Sequence, residues 1–215
     1  MKQFNLIGKP LIYLITSGET NAENFAEKKS KILALIKTAV EASISLIQIR
    51  EKQLPARLIF ELASEASQLT RNTETKLLVN DRADIALAAN ADGVHLTAQS
   101  LSAGIVRRAF PTNFIIGASV HTIGEAETLK RQGADFITFS SIFYSPEKGK
   151  PQGVKKLREV CEILKPFPVI ALGGINETNF TEVLEAGASG FAAIRFLSSA
   201  ENLRELDAHL LAHKN

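Results

Sequence analysis

The stretch Gly133–Ser141 reads GADFITFSS and joins the end of a helix to a buried strand. A glycine just past a helix supplies the left-handed residue that stops it. The polar turn then leads into a run of aromatic and β-branched residues, which favour strands. The same joint recurs at Asn90–Gly93 (NADG) and at Gly187–Gly190 (GASG). Three copies of one joint predict a repeated strand–helix unit.

Outward from this joint, short apolar runs alternate with segments of helical spacing along the whole chain. Eight such units in 215 residues predict an α/β protein, a (β/α)8 TIM barrel that forms a single domain over residues 1–215. An open doubly wound sheet is the alternative, and Ser102–Ala109 is the weakest predicted helix. The predicted strands are Leu11–Thr16, Ser45–Glu51, Lys76–Asp81, Gly93–Leu96, Phe114–Ser119, Phe136–Ser141, Pro168–Gly174 and Gly190–Leu197.

Composition and charge exclude several classes of protein. The 25 Lys and Arg against 23 Asp and Glu leave a net charge of +2, which predicts no affinity for nucleic acid or an anionic membrane surface. No apolar stretch reaches the roughly 18 residues of a membrane span. The apolar run Phe4–Ile15 lacks a cleavage site, so we expect no signal peptide and a cytoplasmic location. The single cysteine, Cys161, excludes an internal disulfide and is expected to be buried on a helix.

The second predicted strand, SLIQIREK, carries three polar side chains at alternate positions. Gln48, Arg50 and Lys52 share one face by alternation, while the isoleucines between them share the other. Because the apolar face must pack on helices, the polar face points to the barrel axis and its upper mouth. A buried cation needs a partner. The strand therefore predicts an anion site, with an internal ion pair to Asp81 or Glu51 as the alternative.

Two further strands end in polar residues that carry chemistry. The third ends in Asn80 and Asp81, and Asp81 is predicted either to cap the next helix or to bind Mg²⁺ beside phosphates. The fifth places Ser119 and His121 on one face. His121 is either a general acid/base or a loop histidine bonded to backbone. His95, within the short fourth strand, is expected to be a hydrogen-bonded interior histidine.

The loops after the last three strands supply a second group of candidates. Tyr144–Gly153 predicts a lid whose Lys148 reaches an anion, with a plain surface loop as the alternative. Paired Gly173 and Gly174 let backbone N–H groups approach a phosphate closely, with close packing as the alternative. Arg195 either clamps that phosphate or plugs the pocket. Two anion sites are thus predicted, which fits a pair of phosphorylated substrates.

At these residues the sequence closely resembles the thiamine phosphate synthase and thiazole tautomerase family, from about Leu11 to Ser199. Gln48–Lys52 looks like the family's Gln-x-Arg-Glu-Lys motif, and Leu78–Asp84 matches its Asn-Asp segment. The remaining matches follow in order at Gly93–Leu96, Gly117–His121, Gly133–Asp135 and Gly173–Ile175.

The resemblance implies a (β/α)8 barrel and a transferase of thiamine biosynthesis. Such a synthase joins hydroxymethylpyrimidine diphosphate to thiazole phosphate, giving thiamine phosphate and diphosphate. In the family, Mg²⁺ and cationic side chains stabilise the leaving diphosphate, and the thiazole nitrogen captures a pyrimidine cation. Carried over, Asp81 would bind Mg²⁺ and Gly174 would bind the thiazole phosphate. The residues that would hold the diphosphate are Gln48, Arg50, Lys52, Asn80, Ser119 and Lys148.

Four positions depart from the family pattern. They are Ser100 in place of the second Mg²⁺ carboxylate, Ser140-Ser141 in place of Gly-Pro, Ser145–Lys148 with Glu147 in place of Thr-x-Thr-Lys, and Arg195 in place of a small serine.

These departures favour two alternatives to the synthase. One is a metal-independent thiazole tautomerase in which His121 moves the proton. The other is a non-catalytic barrel that binds a phosphorylated metabolite, with Glu147 and Arg195 filling its cavity. The expected partners are phosphorylated small molecules, and the sequence leaves a homo-oligomer open.

Overall fold

The computed structural model describes residues 9–145 and 149–212, with side chains described up to residue 206 in the last helix. All eight predicted strands are present and form a closed parallel barrel in chain order, so the predicted (β/α)8 fold is confirmed and the open sheet is wrong. The strands are β1 (Leu11–Ile15), β2 (Leu46–Ile49), β3 (Lys76–Asn80), β4 (Gly93–Leu96), β5 (Ile115–Val120), β6 (Phe136–Ser140), β7 (Val169–Leu172) and β8 (Gly190–Ala193).

A helix follows each strand, and a short 3₁₀ turn at Phe196–Ser198 precedes the last helix. The weakest predicted helix is present as α4, and its cap residue Ser102 accepts a hydrogen bond from Ile105 N at 3.4 Å. The helices are α1 (Phe25–Glu41), α2 (Ala56–Thr70), α3 (Ala83–Ala88), α4 (Ala103–Ala109), α5 (Ile123–Arg131), α6 (Gly153–Leu164), α7 (Phe180–Glu185) and α8 (Ala200–Ala212).

The described chain forms two compact units. One contains residues 9–12 and Val94–Ala193, and the other contains Tyr13–Gly93 and residues 194–212. In the first unit, Ser119 of β5 pairs with Thr138 of β6, which pairs with Ile170 of β7. In the second, Gln48 of β2 lies between Ile15 of β1 and Leu78 of β3. The single domain over residues 1–215 stays a prediction.

The aspartate of the repeated joint binds both backbone groups of one residue in an earlier strand. Asp135 N donates to Ile116 O at 2.8 Å, while its Oδ2 accepts from Ile116 N at 2.8 Å. Asp92 N donates to Leu77 O at 2.9 Å, and its Oδ2 accepts from Leu77 N at 2.8 Å. A carboxylate forms stronger hydrogen bonds than a neutral acceptor. Each aspartate therefore fixes the start of a new strand beside an existing one.

The left-handed stops predicted for these joints are confirmed. The φ angles are +55° at Asn90, +88° at Gly133 and +93° at Gly187. In the third joint Ser189 stands where the others have aspartate. Its backbone N donates to Val169 O at 2.8 Å. Its hydroxyl has no hydrogen bond within the described chain, so this joint has the backbone half of the interaction only.

Arg107 of α4 reinforces the joint at Asp135. Its Nε and Nη2 donate to Gly133 O at 3.0 and 2.9 Å, and its Nη1 donates to Phe114 O at 2.8 Å. Its Nη2 also pairs with Asp135 Oδ2 at 2.6 Å. Since the guanidinium is half-buried and bonded on every side, Arg107 is a structural residue.

Cys161 lies on α6 as predicted and is 8% exposed. Burial, with a smaller effect of the neighbouring Glu162, raises the pKa of its thiol to about 11. The thiol is therefore neutral and a poor nucleophile near neutral pH. Among the described helices, none has both the length and the apolar character that crossing a membrane requires.

We expect Asp92→Ala and Asp135→Ala each to lower the free energy of unfolding by about 1–3 kcal/mol, because each leaves a backbone N–H without its charged acceptor. Urea unfolding measures this difference. Ser189→Ala is the matched control at the third joint and should change stability by less than about 0.5 kcal/mol. Equal losses at all three joints would contradict the role of the carboxylate.

Candidate active site

A row of three polar side chains crosses the carboxyl ends of β2 and β3. Gln48, 1% exposed, donates from Nε2 to Asn80 Oδ1 at 2.8 Å. Asn80, 9% exposed, donates from Nδ2 to Asp81 Oδ2 at 2.6 Å. A carboxylate only accepts, so Asp81 determines which end of the Asn80 amide faces it and therefore which end faces Gln48. Every hydrogen bond in the row is therefore donated in the same direction, from Gln48 to Asn80 and from Asn80 to Asp81.

Asp81 follows β3 directly and has φ = +60°, in the left-handed region. The cap position of α3 is Arg82, which has no side-chain cap bond, so the prediction that Asp81 caps this helix is wrong. Arg82 instead holds Asp84 through two bonds, from Nε at 2.9 Å and from Nη2 at 2.6 Å. These bonds lower the pKa of the Asp84 carboxyl. The structure therefore assigns the Arg82 cation to Asp84.

Arg50 lies one residue beyond β2 and is half-buried. Its backbone N donates to Thr16 Oγ1 at 2.8 Å. Its guanidinium lies against Gly18, where a Cβ atom would come within 2.8 Å of Nη1. The alternative ion pair with Glu51 is wrong, because the Glu51 carboxylate accepts from Gly18 N at 3.2 Å and Thr20 N at 2.9 Å.

Lys52 does not share the strand face predicted for it. β2 ends at Ile49, and Lys52 is an exposed residue in the turn that follows. Alternation holds only inside a strand, so it does not fix the direction of the Lys52 side chain. The flexible stem of lysine lets its ammonium group reach many positions, whereas Arg50 presents a planar guanidinium.

In the other unit, three side chains form a second polar cluster on β4, β5 and β6. Ser119 Oγ lies 2.9 Å from His95 Nε2 and 3.1 Å from Thr138 Oγ1. His95 is 2% exposed and Thr138 is fully buried. The expected interior, hydrogen-bonded role of His95 is confirmed. Through these two contacts, the hydroxyl of Ser119 is oriented by buried groups on both neighbouring strands.

His121 lies one residue beyond β5 and is exposed. Its Nδ1 lies 2.8 Å from Ser140 O, and a carbonyl only accepts, so Nδ1 carries the proton. Gln152 adds a second donor, with Nε2 at 2.7 Å from Ser140 O and 3.0 Å from His121 O. The backbone-bonded alternative is thus confirmed. In the neutral ring the lone pair lies on Nε2, the nitrogen suited to accept a proton.

Gly173 and Gly174 have φ angles of +106° and +67°. A Cβ at Gly173 would overlap Ser141 Oγ, and a Cβ at Gly174 would overlap Tyr144 O. Close packing, the alternative reading of the pair, is therefore observed. Both carbonyls are also bonded, to Phe143 N at 2.9 Å and to Asn179 Nδ2 at 3.0 Å. Within residues 9–145 and 149–212, neither glycine N–H donates a hydrogen bond, and successive N–H groups of this kind favour anions.

Four other predicted positions remain. β8 ends at Ala193, so Arg195 is not a strand residue but precedes the 3₁₀ turn, and its exposed side chain does not plug a cavity. Ser100 Oγ accepts from Thr97 N at 2.8 Å. Lys148 and Glu147 lie outside the described residues. In the described part, no three His, Cys, Asp or Glu residues group as metal ligands.

Sequence reasoning missed four contributors: Thr16, Gly18, Thr138 and Gln152. Thr138 could have been predicted, because it is a hydroxyl residue in β6, the strand that pairs with β5, where it lies opposite Ser119. The others act on residues 31 to 34 positions away in the chain. No local pattern reports such pairs.

A double-mutant cycle tests the buried row. We expect Gln48→Leu and Asn80→Leu each to lower the free energy of unfolding by about 1–3 kcal/mol, because each leaves a buried partner unsatisfied. The double variant should lose less than the sum, with a coupling of about 0.5 kcal/mol or more by urea unfolding. Strict additivity would show that the two amides act independently.

Comparison with known proteins places the chain in one family. A family model described as thiamine monophosphate synthase matches residues 12–197. A thiamine-phosphate synthase of Chlorobium phaeobacteroides is 38% identical over 193 residues, covering 88% of this chain and 89% of the relative. A second, from Pyrococcus furiosus, is 35% identical over 208 residues, covering 96% and 95%.

A solved structure gives the same answer. The thiamine phosphate pyrophosphorylase from Pyrococcus furiosus superposes with a TM-score of 0.80 at 32% identity, covering 94% of this chain and 96% of that one. The motifs described above lie within the matched region. The chain belongs to the thiamine monophosphate synthase family.

Proposed function

We propose that the chain is a thiamine-phosphate synthase, a transferase that joins hydroxymethylpyrimidine diphosphate to thiazole phosphate and releases diphosphate. The observation that carries this proposal is the buried row of Gln48, Asn80 and Asp81 with Arg50 on the residue beyond β2. The row and the cation belong to one unit and to the motifs shared with the family. They suit a ligand that is both anionic and rich in hydrogen-bond acceptors.

The chemistry requires stabilisation of a leaving diphosphate. As the bond to the pyrimidine methylene breaks, negative charge grows on the diphosphate oxygens. Fixed cations and donors aimed at such charge lower the barrier. Arg50 supplies a planar fork. Its backbone N is held by Thr16 Oγ1, and its guanidinium lies beside Gly18. Lys52 would add a second positive charge, and the buried amides of Gln48 and Asn80 would supply neutral hydrogen-bonding groups.

The glycine pair supports a second anion site, which lies in the unit that contains β5 to β8. Gly173 N–H and Gly174 N–H are adjacent donors that have no acceptor in the described chain, while their carbonyls are both bonded. A phosphate bound by two backbone N–H groups needs no side chain. This arrangement suits the phosphate of the thiazole substrate.

The residues present fit a magnesium ion in a limited way. Mg²⁺ binds oxygen ligands and commonly uses one or two carboxylates together with phosphate oxygens and water. Asp81 offers one carboxylate beside Asn80, whereas Ser100 offers only a hydroxyl that already accepts from Thr97 N. Asp81 would hold the ion, which when bound neutralises charge on the diphosphate.

A metal-independent thiazole tautomerase is the second candidate, and one observation favours it. His121 has its Nδ1 committed to Ser140 O, so its Nε2 is suited to accept and return a proton. A side chain used in this way needs neither Mg²⁺ nor diphosphate. The third candidate, a binder whose cavity Arg195 fills, loses support because Arg195 is exposed. The cytoplasmic location and the homo-oligomer stay predictions.

Arg50→Ala and Lys52→Ala are each expected to cut turnover about 10²-fold, as loss of one charge-stabilising donor commonly does. Release of diphosphate from the two substrates, with and without Mg²⁺, measures this. Lys31→Ala removes an equal charge from an exposed pair on α1 and should leave turnover unchanged. Full turnover in both site variants would defeat the synthase assignment.

His121→Gln separates the two activities. The variant should abolish any thiazole isomerisation, because glutamine cannot exchange a proton, while the affinity for thiazole phosphate stays nearly intact. NMR of the thiazole ring protons follows the isomerisation, and calorimetry follows the affinity. Isomerisation at the wild-type rate in this variant would exclude His121 as the proton carrier.

A further inference from the structure

We propose that Glu51 is a positioning residue that ties the loop after β1 to Arg50 and so holds this guanidinium in place for a diphosphate. The inference rests on the proposed function, because it names how that site keeps its principal cation fixed. Glu51 stands between Arg50 and Lys52 in sequence, yet the structure uses it for neither charge.

The Glu51 carboxylate is 3% exposed and faces the loop that follows β1. Its Oε1 accepts from Gly18 N at 3.2 Å, and its Oε2 accepts from Thr20 N at 2.9 Å. A buried carboxylate needs strong donors, and here two backbone N–H groups provide them. Both oxygens therefore hold one short segment of main chain.

Residues of the loop after β1 also contact Gln48 and Arg50 at the end of β2. Thr16 N donates to Gln48 O at 3.0 Å, and Thr16 Oγ1 accepts from Arg50 N at 2.8 Å. At Gly18, where φ is +80°, a Cβ would lie 2.8 Å from Arg50 Nη1 and 3.0 Å from Arg50 O. A side chain at Gly18 would therefore crowd the guanidinium, so the loop bounds the space of the guanidinium on this side.

Thr20 shows that this tie depends on Glu51. Thr20 is 1% exposed, and its Oγ1 has no hydrogen-bond partner in the described chain. The bond from its backbone N to Glu51 is thus the polar contact that holds this residue. Removal of the carboxylate would leave both N–H groups without their acceptor, and the wall beside Arg50 would loosen.

The test measures binding of inorganic diphosphate by calorimetry, in the presence of Mg²⁺, to the full chain and four variants. Glu51→Ala should weaken binding about tenfold, the low end of the effect of a hydrogen bond to a charged group. Glu51→Gln keeps one acceptor, so its affinity for diphosphate should lie between that of the wild type and that of Glu51→Ala. Gly18→Ala should also weaken binding, because its methyl group displaces Arg50 while Glu51 is intact. Glu61→Gln, a loss of equal charge on α2 where Glu61 pairs with Lys29 of α1, should change nothing.

Hydrogen exchange supplies the readout that separates positioning from general stability. In Glu51→Ala, exchange should rise at the amides of Gly18 and Thr20 while α2 and β3 keep their protection. A folded Glu51→Ala protein with wild-type affinity for diphosphate overturns the proposal, as does unchanged exchange at the two amides. If Glu51→Ala does not fold, Glu51→Gln and Gly18→Ala decide by the same two measurements. Absence of diphosphate binding to the wild type would instead overturn the proposed function, and exchange at Gly18 and Thr20 would still test the tie.

Discussion

The constraint on which the rest of the structure depends is the aspartate at the start of a strand that hydrogen-bonds to an earlier strand. Asp92 and Asp135 each bind the N–H and the C=O of a single residue, Leu77 and Ile116. A shift of one residue in either strand would break both bonds and turn every side chain to the opposite face. Because the positions of Asn80 and Ser119 follow from their strands, the polar rows inherit their geometry from these joints.

Each unit then places polar groups near the carboxyl ends of its strands by a different means. In the unit that contains β2 and β3, the row ends on a carboxylate, and the backbone of Arg50, one residue beyond β2, is held by the loop after β1. In the unit that contains β5 to β8, the buried hydroxyl of Thr138 and the buried ring of His95 orient Ser119. The backbone N–H groups of Gly173 and Gly174 are available there as donors. The first suits a ligand of high charge, and the second suits a single phosphate.

The strands and the repeated joint were predictable because their signals are local. Gln48 lies in β2 as predicted, and the glycine or asparagine at each joint correctly marked the end of a helix. Alternation failed for Lys52 and Arg195, because both lie beyond the last strand residue. The role of Glu51 was out of reach. Its charge and its neighbours suggest a salt bridge, whereas its partners are main-chain atoms brought near by the fold.

The row from Gln48 to Asp81 also has a polarity, and one residue sets it. An amide can reverse by a half turn, exchanging its donor for its acceptor, at little steric cost. The amide of Asn80 cannot reverse, because its Nδ2 must donate to Asp81. The amide of Gln48 is then fixed as well, because its Nε2 must donate to Asn80 Oδ1. The carboxylate of Asp81 therefore decides whether a ligand meets the donor or the acceptor side of two neutral amides.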